Sequence, residues 1–178
     1  MKKLLFVVLV FIGFNVNAQS QANVEKKLFS VNFLLPGLEY EMGLSNNTTL
    51  DLRAGTGFGI SGGSNRDTEF GIFLNAHTQY RYYYNFDKRL GKNKNIDNNS
   101  ANYIALNGSI DFGDPIIGDL QLSSDFGGVI GPVWGLQRYY GSGFKLDLNL
   151  GAGYGFNNLG GSYLSPIIGL RLGWLLSK

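Results

Sequence analysis

The sequence contains no cysteine, and this absence excludes two features that exported proteins often have. Without a thiol the chain has no attachment point for a lipoprotein anchor, and it can form no disulfide bond. Histidine occurs once, at position 77, so a zinc site built from several histidine or cysteine ligands is excluded as well. We therefore expect neither a metal ion nor any other cofactor.

Long hydrophobic runs are also missing, apart from one at the N-terminus. Two lysines precede an apolar segment over residues 4–14, and the small residue Ala18 follows, a pattern typical of a cleaved secretory signal peptide. An N-terminal membrane anchor is the alternative, but the segment is shorter than the roughly 20 residues that cross a bilayer as a helix. We divide the chain into a signal peptide over residues 1–18 and one domain over residues 19–178.

The predicted domain has no excess of either charge. The whole chain carries 15 basic and 13 acidic residues, and removal of the leader with Lys2 and Lys3 leaves 13 of each. A domain of zero net charge lacks the basic surface that attracts nucleic acid. We therefore expect no nucleic-acid partner.

The segment over residues 143–156 alternates strictly between two kinds of residue. Every second side chain is apolar, from Phe144 to Phe156, and the others are Lys145, Asp147, Asn149 and four glycines. A period of two is that of a β-strand. A continuous apolar face opposite charges, amides and glycines fits a strand with lipid outside and a packed polar interior.

The same alternation predicts eight strands in the chain. Their predicted bounds are 27–35, 38–44, 49–60, 69–86, 103–112, 125–139, 143–156 and 163–176. We interpret Pro36 and Gly37 as a tight turn between the first two strands, although one long bulged strand is the alternative. The segments 61–68, 87–101 and 113–124 are predicted loops, and an even number of strands places both ends of the domain on one side.

A membrane protein without spanning helices must close its sheet, because only closure pairs every backbone group away from water. The predicted fold class is therefore all-β, an eight-stranded antiparallel transmembrane up-and-down β-barrel. Aromatic side chains fall near both ends of the predicted strands, where amphipathic rings favour the membrane interfaces. The alternative is a secreted soluble barrel with the faces reversed, but its small interior would then have to hold whole rows of aromatic side chains.

Two segments carry a resemblance to a known family. The residues 36–45, PGLEYEMGLS, and 169–174, GLRLGW, resemble those of small outer-membrane β-barrel proteins of Gram-negative bacteria, the OmpX and OmpA transmembrane class, in the form found in Bacteroidetes. The second segment is similar to the barrel-assembly signal, although the chain ends at Lys178 and not at a phenylalanine. The resemblance implies location in the cell outer membrane and contact with the barrel-assembly machinery during biogenesis.

Ten titratable side chains fall on the predicted inner face. They are Glu39, Glu41, Asp51, Arg53, His77, Arg81, Asp111, Lys145, Asp147 and Arg171. Eight strands leave an interior just wide enough for side chains to fill it, and unpaired charges there are costly. We expect these residues to form a structural ion-pair network that plugs the interior.

The predicted function is an integral outer-membrane barrel with a structural or surface-interaction role, and not an enzyme. One alternative is a narrow, gated pore for transport through the same residues. The other is an enzyme that acts on outer-membrane lipid. It is disfavoured because His77 falls on the predicted inner face and has no serine near it in the predicted strands. The expected partners are outer-membrane lipids and lipopolysaccharide, and the chain is expected to be a monomer.

Overall fold

Eight antiparallel strands pair in chain order and the first also pairs with the last, so the sheet closes into a ring. A computed structural model describes residues 24–64 and 66–178, and the predicted signal peptide lies outside the described residues. The strands are β1 (Lys27–Asn32), β2 (Gly37–Gly43), β3 (Thr48–Gly63), β4 (Arg66–Tyr83), β5 (Asn102–Gly118), β6 (Phe126–Tyr140), β7 (Phe144–Asn157) and β8 (Ser162–Ser177). Within these residues no helix is long and apolar enough to cross a membrane.

The alternation of the sequence sorts the side chains onto the two faces of the ring. On β7 the polar residues Lys145, Asp147 and Asn149 are buried inside, whereas Leu148 and Leu150 are exposed outside. Successive side chains of a strand point to opposite faces, so on β7 the charges face inward and the leucines outward. The all-β, eight-stranded antiparallel prediction is confirmed.

The turn at Pro36 is confirmed as well, and it leaves the first hairpin short. β1 and β2 have six and seven residues, whereas β3 to β8 have between 14 and 18. The turn lies between β3 and β8: the amide of Thr56 donates to the carbonyl of Pro36 at 2.9 Å, and the amide of Phe33 donates to the carbonyl of Leu172 at 3.0 Å. The ring is therefore complete over only part of its height.

Two segments predicted as loops are largely strand. β3 and β4 pair as far as Gly63 and Arg66, through most of the predicted loop 61–68. β5 continues to Gly118, well into the predicted loop 113–124. Its proline, Pro115, lies where the register of the β4–β5 ladder shifts, and a bulge tolerates a residue without an amide proton. Pairing with a long neighbouring strand outweighs the local signals of glycine, proline and polar residues.

The predicted loop 87–101 also has structure. A short helix, α1 (Phe86–Leu90), and a 3₁₀ turn (Asp97–Asn99) fold under one end of the ring. Phe86, the last residue of the predicted strand 69–86, lies buried in α1, because β4 ends at Tyr83. We call the end of the ring that carries α1 the closed end and the opposite end the open end.

Candidate functional site

The interior of the ring near the closed end holds a layer of charged side chains. Four carboxylates face four basic groups, so the formal charges cancel. This charge layer consists of Glu39, Glu41, Asp51 and Asp147 together with Arg53, Arg81, Lys145 and Arg171. Strand register brings the members together, because Glu41 lies opposite Asp51 and Asp147 lies opposite Arg171.

Arg81 is the centre of the charge layer. Its guanidinium is fully buried and donates to Gln79 at 2.9 Å, to Gln137 at 2.9 Å and to Asp147 at 3.2 Å. The Asp51 carboxylate lies 3.5 Å away, and the guanidinium lies over the ring of Tyr103 at 4.5 Å. A buried guanidinium needs several acceptors to offset the loss of hydration, and those around Arg81 come from four strands. One side chain thus links β3, β4, β6 and β7 across the interior.

The other basic groups pair around this centre. The Lys145 ammonium pairs with Glu39, and both side chains are buried. Arg171 donates to Asp147 at 2.8 Å, and the Nε atom of Arg53 lies 2.5 Å from Asp51. Every basic group of the charge layer has a carboxylate partner, which limits the penalty for taking these charges out of water.

Neutral polar side chains, which were not among the predicted site residues, complete the layer. Glu41 accepts hydrogen bonds from Thr49 and Tyr83 at 2.7 Å each and from Gln137 at 2.9 Å. Tyr103 donates to Asp147 at 3.1 Å. The phase of β6, with Trp134 and Leu136 outside, is a signal from which the inward position of Gln137 could have been found.

Below the charge layer, an apolar floor closes the ring. Tyr83, Phe86, Ala101 and Tyr103 are almost completely buried there, and the Tyr83 and Phe86 rings stack at 5.3 Å. Backbone contacts hold the segment in place: the amide of Gln137 donates to the Ala101 carbonyl at 2.9 Å. The interior at the closed end is therefore filled by two successive layers, one charged and one aromatic.

His77 and Asp111 were predicted to belong to the ion-pair network, but neither forms an ion pair with any described residue. Both lie further toward the open end. His77 stands directly opposite Arg53, which has the same sign of charge when the imidazole is protonated. Asp111 stands between Asn75 and Gly127, which carry no charge. The ion pairs therefore end where the strands of the first hairpin end.

A cavity of about 190 Å³ lies immediately above the charge layer. It is bounded by the hairpin turn and by β3, β4, β5 and β8, and Arg53, Asn75, His77, Asp111 and Arg171 contribute to its lining. Arg53 is only 7% exposed, yet its Nη1 and Nη2 atoms have no hydrogen-bond acceptor among the described residues. The cavity thus contains buried donor groups of Arg53 that the described residues leave unused.

The expectation that no serine lies near His77 is wrong, because Ser109 on β5 stands directly opposite it, although no hydrogen bond joins the two side chains in the described structure. No group of three or more histidine, aspartate or glutamate side chains in residues 24–64 and 66–178 is arranged to hold a metal ion. Comparisons with family models, with curated proteins and with solved structures found no significant match.

Proposed function

We propose that the chain is an integral outer-membrane β-barrel with a structural or surface-interaction role, whose interior is plugged by ion pairs. The observation that carries this proposal is the distribution of side chains between the two faces of the ring. Large apolar residues are exposed outside on every strand from β2 to β8, with Leu164 at 84% and Ile168 at 76%, while buried charges fill the inside. A water-soluble protein rarely exposes an apolar surface of this extent, whereas a lipid-facing surface requires one.

The lengths and aromatic residues of the strands support the same proposal. β3 to β8 exceed the 9–11 residues that a tilted strand needs to cross the hydrocarbon core. Exposed aromatic side chains form two bands on the outer face. The band at the closed end contains Tyr82, Tyr84, Tyr140 and Trp174, and the band at the open end contains Phe58, Phe70, Phe112, Phe126 and Tyr154. Such bands match the two membrane–water interfaces.

The filled closed end favours a structural or surface role over transport. A conducting path would have to cross both the charge layer, where Arg81 and Asp147 are fully buried, and the floor around Tyr83 and Phe86. Eight strands enclose too little space for a channel beside such side chains. The loops at the open end, over residues 121–125 and 158–161, are largely exposed and would meet lipopolysaccharide or an extracellular partner.

The test is expression of the full chain in a Gram-negative host. We expect cleavage of the leader, retention in the outer-membrane fraction after carbonate extraction, and a shift in gel mobility between unheated and boiled samples. Urea-unfolded protein is the control, since it should migrate at one position before and after boiling. Recovery of a soluble periplasmic product with no heat-dependent shift would contradict the proposal.

A further inference from the structure

The wall of the ring has an opening on the open side of the first hairpin. Past the turn at residues 33–36, the upper part of β3 over residues 57–63 pairs only with β4 among the described residues. The upper part of β8 over residues 162–171 likewise pairs only with β7 among them. We call this gap between β3 and β8 the side opening. It leads from the apolar outer face directly into the cavity above the charge layer.

We propose that this cavity binds a single-chain amphiphile with a compact anionic head group, a carboxylate or a phosphate monoester, which reaches it through the side opening. Arg53 would hold the head group with the two guanidinium nitrogens that no described residue uses. An unsatisfied buried donor is costly, and an anionic acceptor removes that cost with charge-assisted hydrogen bonds.

Three of the four titratable side chains that line the cavity are basic. Asp51, the carboxylate nearest to Arg53, is shared with Arg81, which lies 3.5 Å away. Arg171 and His77 also contribute to the lining, and Asp111 is the only carboxylate among the lining residues. Because Arg53 pairs with Asp51 and Arg171 pairs with Asp147, the preference for an anion comes from the two unused guanidinium donors of Arg53 and not from an excess of positive charge.

The size of the cavity indicates what enters it. At about 190 Å³ it is smaller than the 300–1,000 Å³ of sites that enclose a whole drug-sized ligand. It can take a head group, but an alkyl tail has to lie elsewhere. The side opening supplies the place, because Leu38, Ile168 and Leu170 are exposed apolar residues that contribute to the lining on its two sides.

The unpaired backbone of the opening fits the same ligand. Strand edges in contact with hydrocarbon would leave amide and carbonyl groups without partners, a state that membrane proteins avoid. The head group at the inner side of the opening would accept hydrogen bonds from the nearest of these amides. This step rests on the proposed membrane location, whereas the binding of the head group to Arg53 does not.

The test is binding of dodecyl phosphate and dodecanoate by the refolded protein in a neutral detergent, measured by titration calorimetry. Arg53→Gln should weaken binding by about tenfold or more, the change expected for loss of a charge-assisted hydrogen bond. Asp111→Asn should strengthen binding, because it removes the carboxylate that repels the head group. Lys88→Gln, an exposed position on α1 far from the cavity, is the matched control and should leave binding unchanged.

Other probes distinguish the sources of the anion. Inorganic phosphate should bind much more weakly than dodecyl phosphate. Equal affinities would show that the site binds a free anion and not an amphiphile. A neutral dodecyl glycoside should not compete, and equal competition would reduce the site to an apolar groove. These outcomes do not depend on where the protein resides in the cell.

A second variant covers the case in which Arg53→Gln fails to fold. Gly169→Leu places a side chain into the cavity from β8, where the nearest obstacle is the flexible amide of Asn149 at 2.6 Å from an added Cβ atom. It leaves every ion pair in place and should abolish dodecanoate binding. Unchanged affinity in both variants would overturn the proposal.

Discussion

Leu150 is the position at which the outside of the ring can be tested most sharply. It lies on the outer face of β7, 59% exposed, between Trp134 on β6 and Ile168 on β8. The aromatic residues Phe144 and Phe156 stand six positions away on either side. At about 3.4 Å per residue and a tilt of about 40°, these two rings are separated by about 31 Å along the ring axis, so Leu150 lies at the midplane.

The loss of unfolding free energy caused by an arginine at this position differs in size between a membrane protein and a soluble one. A lipid-facing arginine at the midplane costs about 2–4 kcal/mol, and the cost falls to about 0–1 kcal/mol near the interfaces. Leu150→Arg should therefore lower the free energy of unfolding by the larger amount. Leu176→Arg, 56% exposed and beside Trp174 at the end of β8, should lower it by the smaller one. In a soluble protein both exposed substitutions would stay within about 0.5 kcal/mol.

The measurement is guanidinium unfolding of the protein in phosphatidylcholine vesicles, followed by the fluorescence of the two tryptophans, Trp134 and Trp174. Both lie on the outer face and leave the lipid when the ring unfolds, so one signal reports insertion and folding together. Equal stability of Leu150→Arg, Leu176→Arg and the wild type would refute the assignment of the outer face to lipid.

Two further predictions concern the filled interior. Gly135→Ala should lower the free energy of unfolding by about 1–3 kcal/mol, because its Cβ atom would lie 2.3 Å from the buried Tyr103 ring. Gly155→Ala should lower it by less than about 0.5 kcal/mol, because the added Cβ atom meets the exposed ring of Tyr163. Equal effects of the two substitutions would contradict the packing of the interior. The wild type should pass no current in planar bilayers, because the charge layer around Arg81 and the floor around Tyr83 and Phe86 both close the interior. Stable wild-type conductance would reject the closed interior.

The faces of the strands could be read from the sequence, because alternation depends only on strand geometry. Lys145 and Asp147 are buried and Leu148 is exposed, as their phase predicts. The turn at Pro36 could be read for a similar reason, since a residue without an amide proton cannot continue an inner ladder. These features are local, and each needs only the residues on either side of it.

The remaining features depend on contacts between distant segments. Nothing near Pro115 indicates a strand, because that strand exists through its pairing with β4. The floor, to which α1 contributes Phe86, forms only because the segment between β4 and β5 folds back below Tyr83. The partners in the ion pairs were the hardest feature to predict. Strand alternation places His77 and Arg81 on the same inner face, but only the register between β3 and β4 shows that His77 stands opposite the cation of Arg53.

The short first hairpin determines where the interior is filled and where it is open. Gly37 and Gly55 lie opposite each other at the end of the hairpin, and a Cβ atom on Gly37 would lie 2.8 Å from the Gly55 Cα atom. The two strands approach closely there, and β2 begins at that point. On the closed side all eight strands surround the charge layer, and each buried charge has neighbours to pair with. On the open side six strands remain. Arg53, the basic residue that β3 contributes to the layer, therefore has unused donors at the cavity beside the side opening.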